Sequence, residues 1–164
     1  MSASRPEQLY ESDFYAWTQA QAKELRRFAR TRPNLPLDLA HIAEEIRDLG
    51  KSEQDAVFSL AQQIVQHLLL IEHSPATDQR LHWADQIDGF RDQIKRKLSP
   101  TIRRRLKRAI GEVYAAARRR VRRKMERHGE RQAAAALPEV CPYSLEQILG
   151  DWEPDTSGGQ ARVG

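Results

Sequence analysis

The stretch Val57-Phe-Ser-Leu-Ala-Gln-Gln-Ile-Val-Gln-His-Leu-Leu-Leu-Ile71 decides the fold class of this 164-residue chain. Val57, Leu60, Ala61, Ile64, Leu68 and Ile71 recur at three- and four-residue steps, the period of one helix face. Phe58, Val65 and Leu69 flank that line and widen it. So wide a stripe belongs to a central helix packed on more than one side. Pro75 stops it, because proline lacks the donor N–H and biases the residue before it away from helix.

The same period extends in both directions. Upstream, Ser12 is expected to start a helix with Phe14, Trp17, Gln21, Leu25 and Phe28 as its stripe, closed by Pro33 and Pro36. Asp38 is the expected N-cap of the next helix, its carboxylate accepting free backbone N–H groups. Leu39, Ile42, Ile46 and Leu49 form that helix's apolar face, and Gly50 is expected to end or kink it. Downstream, Asp78 is placed to cap a helix whose stripe is Trp83, Ile87, Phe90, Ile94 and Leu98. Pro100 suits the first turn of a further helix, where a missing N–H costs little; its core face is Ile102, Leu106, Ile110, Val113, Tyr114 and Ala117, and Gly129 ends it. Ala133 to Leu137 reads as a short helix or a linker, and Ser144 as the cap of a short helix reaching Leu149. No strand-like alternation or internal repeat stands out. The expected fold is all-α, a single-domain helical bundle of about five main helices with a long basic helix and an irregular C-terminal tail. Residues 1–11 are expected to form a flexible N-terminus, 12–150 the helical domain, and 151–164 a disordered, Gly-rich polar tail.

Length and composition narrow the setting. A chain of this size fits one domain and buries a core without covalent staples. The single Cys141 has no internal partner and no zinc-like spacing around it, which suits a reducing compartment. The N-terminus is polar, and no apolar run approaches the ~18 residues that a membrane span needs. A cytoplasmic protein is expected, with no membrane partner.

Charge is distributed unevenly. Arg103 to Arg131 holds thirteen Lys or Arg against three acids, a formal +10, while the whole chain is +4, so the remainder is near −6. Arg104, Arg105 and Arg108 fall opposite the core face. Arg118, Arg119, Arg120, Arg122, Arg123 and Lys124 point in nearly every direction, leaving Val121 and Met125 as the apolar residues among them. That half of the helix is therefore expected to project from the body or lie across its surface. Arg104, Arg105, Arg108, Arg118, Arg119, Arg122, Arg123 and Lys124 are the candidate contacts for an acidic protein surface or a nucleic-acid backbone. Glu44, Asp48, Asp85, Asp88 and Asp92 offer an intramolecular alternative, or a charge-driven homo-oligomer through a neighbour's strip. Interleaved aromatics for base stacking are missing and no reading module is evident, so any nucleic-acid contact is expected to be sequence-independent.

Several segments together resemble a bacterial family catalogued as a domain of unknown function, number twenty-nine in its series. They are Asp13-Phe-Tyr-Ala-Trp17 with Gln21-Ala22, Leu37-Asp38, Ile42-Ala-Glu-Glu-Ile46 through Leu49-Gly50, and His67-Leu-Leu69. Pro75, Trp83 and Ile87, Tyr114 with Ala117, Pro138-Glu-Val-Cys-Pro-Tyr143 and Leu145-Glu-Gln-Ile-Leu149 complete the series. The resemblance covers about residues 10–150 and implies an all-helical fold and no particular activity. His41 stands where the family usually has Asn, and Leu70 and Ile71 where it usually has Lys and Trp.

Polar residues on or beside the stripes form the second candidate site: Gln21, His41, Glu45 and His67. One reading is a buried hydrogen-bond cluster that sets helix register, because a buried polar group without a partner costs about 1–3 kcal/mol. The other is a divalent-metal or acid–base site, since carboxylate and imidazole suit both, with Glu44 or His73 as further members. No cofactor is named by the sequence. Glycine-rich phosphate loops, nucleophile elbows and His-Glu-x-x-His patterns are missing. The function expected is a non-catalytic interaction or regulatory module using the basic helix; the alternative is a metal-dependent enzyme with a Glu/His site between helices.

Overall fold

The computed structural model describes residues 6–155. Those residues are all-α, with five helices of seven residues or more: α1 (Pro6–Ser12), α2 (Phe14–Ala29), α3 (Leu39–His73), α4 (Arg80–Lys97) and α5 (Pro100–Arg127). Two short helices follow, α6 (Arg131–Ala135) and α7 (Leu145–Leu149). The described chain divides into two compact units. Unit 1 holds the chain through Val57 together with Lys97–Leu106; unit 2 holds Phe58–Arg96 and the chain from Lys107 onward.

The N-terminal reading needs adjustment. Pro6–Ser12 is helical, so the first helix begins before Ser12, and the cap of α2 is Asp13. The expectation of flexibility for residues 1–5 and of disorder for 156–164 lies outside the described residues. Asp13 is buried, and its carboxylate serves two helices. Oδ1 accepts from Ala16 N–H at 3.0 Å, at the start of α2, and Oδ2 accepts from Thr101 N–H at 2.9 Å, at the start of α5. Ser99 Oγ accepts the neighbouring Ile102 N–H at 3.2 Å. Each of these fills an orphan donor that a helix N-terminus leaves open. Burial pushes the Asp13 pKa up, but the N–H groups of Ala16 and Thr101 and the hydroxyls of Thr101 and Ser99 outweigh it and hold the pKa below its ordinary value.

The packing of α2 on α3 reverses the expected faces. The buried residues of α2 are Tyr15, Thr18 and Ala22, not the stripe from Phe14 to Phe28. On α3 they are Leu39, Ala43 and Gly50, while Ile42 and Leu49 are exposed. The reason is size. A Cβ built on Gly50 would sit 2.0 Å from Thr18 Oγ1, so the two backbones meet where side chains are smallest. Gln19 Nε2 donates to Arg47 O at 3.2 Å beside that contact. Gly50 therefore does not end the helix. The segments expected as two helices are one of 35 residues, capped as anticipated by Asp38, whose Oδ1 accepts from His41 N–H at 3.2 Å.

In unit 2 the central stretch behaves as its pattern requires. Ile64, Val65, Leu68 and Leu69 are fully buried, and Leu70 and Ile71 nearly so, which surrounds α3 with core on several sides. Before α4 the chain makes one 3-10 turn, Thr77–Gln79, so Asp78 lies within that turn and Arg80 opens α4. Gly129, with φ 76°, lets Glu130 N–H reach Met125 O at 2.9 Å and its own N–H reach Glu126 O at 3.2 Å. That pair of bonds is a Schellman ending for α5. Ser144 and Gln147 form a reciprocal capping box at α7.

Two stability measurements test these contacts. Gly50→Ala should lower stability by about 1–2 kcal/mol, since overpacking of about 1–3 kcal/mol exceeds the ~1 kcal/mol gained in helix propensity. Thr18→Ala in the same chain should recover most of that loss in a denaturant titration. Asp13→Ala should cost about 2 kcal/mol at neutral pH, two caps at ~1 kcal/mol each, with Asp13→Asn in between because its amide has one acceptor oxygen. Because the folded carboxyl has the lower pKa, its contribution is complete above the ordinary ~3.9 and fades as pH falls through the folded value. The gap between wild type and Asp13→Ala should close over that range.

Candidate functional site

Within unit 2, α5 carries Val113, Ala117, Val121 and Met125 four residues apart, and all four are buried. The second half of the basic helix is thus seated along a continuous apolar line; of the two expectations for it, projecting from the body or lying across its surface, the buried line fits the second. The line is narrow but unbroken, and long cations beside it lay their stems inward. Arg118 Nη2 donates to Leu137 O at 3.2 Å, and Lys124 Nζ lies 5.9 Å from the centroid of the buried Trp83 ring.

The remaining cations divide by what they touch. In unit 1, Arg104 Nη2 donates to Thr101 Oγ1 at 2.8 Å and the Arg105 guanidinium sits 5.2 Å from the Tyr15 ring centroid. Arg122 pairs with Glu126 at 2.9 Å. Arg108, Arg119, Arg120, Arg123 and Arg127 are exposed and form no ion pair among the described residues. At about 100° per residue, Arg108, Arg119, Arg123 and Arg127 fall within an arc of about 100°, opposite Val121 and Met125. Four of the five acids proposed as their partners are engaged elsewhere: Glu44 and Asp48 with Arg47 at 3.6 and 2.9 Å, Asp88 with Arg91 at 3.7 Å, and Asp92 with Lys95 at 3.6 Å.

The polar cluster does not take the buried form expected of it. His41 and Glu45 are exposed, because the buried line of α3 runs through Leu39, Ala43 and Gly50 and turns both away from it. His41 Nδ1 bonds Asp38 Oδ2, and that hydrogen bond, with the Asp38 charge, raises the imidazole pKa above its ordinary value. Gln21 is half-buried on the outer stripe of α2. Those three belong to unit 1 and His67 to unit 2. His67 is half-buried, with Phe90 edge-on at 5.4 Å. Its Nδ1 lies 2.7 Å from Gln63 O; a carbonyl only accepts, so Nδ1 carries the proton. Burial lowers its pKa, and Lys124 and His82 add to the effect. Among the described residues, no group of three or more His, Cys, Asp or Glu is placed to hold a metal ion.

Sequence reasoning overlooked Arg91. It stands on the stripe of α4 between Ile87 and Ile94 and is 2% exposed. Nε donates to Ile148 O at 3.1 Å, and Nη2 to Gln147 O at 2.8 Å and Trp152 O at 2.7 Å. A buried guanidinium therefore closes the end of α7, where carbonyls lack intrahelical donors. Its stripe position was the available signal, the same one that drew attention to Gln21. Two phenols fasten the adjoining segment. Tyr114 Oη donates to Pro138 O at 2.6 Å, and Tyr143 Oη donates to Glu72 Oε2. Burial first, and then the Glu72 carboxylate, push the Tyr143 pKa far above the ordinary phenol range, so it remains a donor. Burial also raises the Cys141 thiol, the opposite of what an activated nucleophile requires.

These features define an all-helical protein with a partly seated basic helix and a C-terminal segment pinned by buried polar groups. The chain belongs to the family described as a domain of unknown function, DUF29, which matches residues 9–153. Its structure is similar to that of an alpha-helical protein of unknown function from Rhodospirillum rubrum, with a TM-score of 0.78, 28% sequence identity and 90% of each chain covered. No curated protein matches the chain. Among the described residues, no helix is long and apolar enough to cross a membrane.

Replacing Arg91 by Lys removes the planar fork that reaches three carbonyls. The expected result is a loss of about 3 kcal/mol, the scale of one to two charged hydrogen bonds. Amide exchange should accelerate over residues 143–155 first, with α3 and α5 protected until global unfolding. Uniform exchange across the chain would count against this local role.

Proposed function

We propose that this protein is a non-catalytic interaction module whose basic helix α5 engages a polyanionic partner through its phosphate backbone. The observation that carries this reading is the set of exposed arginines that form no ion pair among the described residues, Arg108, Arg119, Arg120, Arg123 and Arg127. Other helices balance cations locally, as in Arg27–Glu24, Arg47–Glu44 and Lys95–Asp92, whereas the second half of α5 has, among the described residues, the single pair Arg122–Glu126. A face of guanidinium groups on a rigid, partly buried helix suits phosphate contacts, which release counterions and so respond to salt. Tyr114, the aromatic residue of α5, is 2% exposed, so base stacking has no platform there and the contact is independent of sequence.

The test is binding of a labelled duplex and a labelled single strand across a salt series. Wild type should bind at low salt, with a log–log slope of about −0.9 per duplex phosphate engaged. Arg119→Glu, Arg120→Glu and Arg123→Glu together should abolish binding without lowering the melting temperature. Absence of binding at low salt, or equal binding by the variant, would remove the polynucleotide reading.

A further inference from the structure

Unit 2 carries a cleft of about 360 Å³ where three helix ends meet. Leu70 and Ser74 line it from around the end of α3, His82 and Trp83 from the start of α4, and Lys124 and Glu130 from the end of α5 and the turn after it. Leu70 and Trp83 are buried and give it an apolar floor, and its size lies within the ~300–1,000 Å³ of small-molecule sites.

Two opposite charges line this cleft without meeting. Lys124 and Glu130 form no ion pair among the described residues, with each other or with a third group. Each is held where it stands. The Gly129 turn, with φ 76°, brings Glu130 back against the end of α3. There the buried Ser74 hydroxyl donates to Glu130 Oε2 at 3.4 Å and accepts from Ala76 N–H at 3.2 Å. Glu130 is the N-cap residue of α6 but makes no side-chain cap bond, and the long bond from Ser74 leaves most of its acceptor capacity open. One turn from Lys124, the residues Arg120, Val121, Arg127 and His128 include no acid that could pair with it. Lys124 lies about 60° around the helix from both Arg127 and Val121, so it leaves the arginine arc and reaches the Trp83 ring, 5.9 Å from its centroid. The His67 pKa is lowered first by burial and then by the charges of Lys124 and His82, so those two lie near enough to act together.

We propose that this cleft binds a free α-amino acid with an apolar side chain, its carboxylate on Lys124 and His82 and its ammonium on Glu130. An α-amino acid carries both charges on one carbon, so a single small molecule answers both groups with charge-assisted hydrogen bonds. A simple anion would meet Glu130 and a simple cation Lys124, so the cleft selects against each. Leu70 and Trp83 receive the side chain. Because Ser74 and Trp83 already fix the two charged groups, little ordering is left for the ligand to impose. The inference is independent of the polyanion reading, since no arginine lines the cleft.

Calorimetric titration of the full chain with L-leucine and L-phenylalanine should give saturable, one-to-one binding. Isocaproate, which is leucine without its ammonium, and isoamylamine, which is leucine without its carboxylate, should each bind at least about tenfold more weakly, the scale of one charged hydrogen bond. Glu130→Gln should bring leucine down to the affinity of isocaproate, and Lys124→Met should bring it down to that of isoamylamine. Lys124 is exposed, and methionine keeps an unbranched stem over Trp83, so that variant should melt as wild type does. The proposal is overturned if neither amino acid binds at millimolar concentration, if isocaproate or isoamylamine matches leucine, or if both variants bind leucine as wild type does. Should Glu130→Gln melt early, Lys124→Met and the two analogues decide.

Discussion

One carboxylate holds unit 1 together. Asp13 turns its two oxygens to two helix N-termini, Ala16 N–H of α2 and Thr101 N–H of α5, segments separated by most of the chain. The helix dipoles point their positive ends at the same buried anion, which keeps it ionised despite its burial. The geometry follows from that choice. Once both helix starts converge on Asp13, the Tyr15 ring lies beneath the Arg105 guanidinium, and the buried face of α2 is set to Tyr15, Thr18 and Ala22. The close approach at Gly50 is possible because that face is built of small residues.

Unit 2 solves the opposite problem with the opposite charge. Arg91 donates to three carbonyls at and beyond the end of α7, positions that no further helical turn could satisfy. A neutral donor would serve one of them; the guanidinium fork serves all three from one buried site. Tyr114 and Tyr143 hold the connecting segment by the same logic, each spending its hydroxyl on a single acceptor. The motif Pro138 to Tyr143 is therefore a structural fastening, and Cys141 lies within it as a partly buried thiol whose raised pKa fits packing.

Periodicity identified α2, α4 and α5 and the path of α3, though it divided α3 in two, and the all-round burial of α3 from Leu68 to Ile71 was legible because adjacent residues there are all apolar. It failed on α2 and on the start of α3 for one reason: a hydrophobic stripe weighs bulk, whereas closest helix approach is decided by the absence of bulk. Ala22, Ala43, Thr18 and Gly50 contribute little to a stripe and define the contact. Arg91 escaped because a charged residue on a stripe reads as an interruption, and its three acceptors come from a segment more than fifty residues away. In the candidate site, the charge of α5 was evident from composition. The separation of Arg119 and Arg123 from Arg118 and Arg122 was not, since it depends on what each guanidinium reaches.

That separation bears on how a charged helix remains folded while offering charge to a partner. Like charges three and four residues apart repel, by a few tenths of a kcal/mol per pair, and Arg119 and Arg123 stand in that relation. The repulsion is tolerable where the opposite side of the helix is firmly buried, as Val113, Ala117, Val121 and Met125 are. Local acids would relieve it at less cost than burial, and α2, α3 and α4 all use them. The exposed arc of α5 instead leaves its guanidinium groups uncompensated on a helix held rigid from behind. An anionic surface binding there would relieve that repulsion as well as make contacts of its own, so its affinity should exceed what the same arginines would give on a flexible tail.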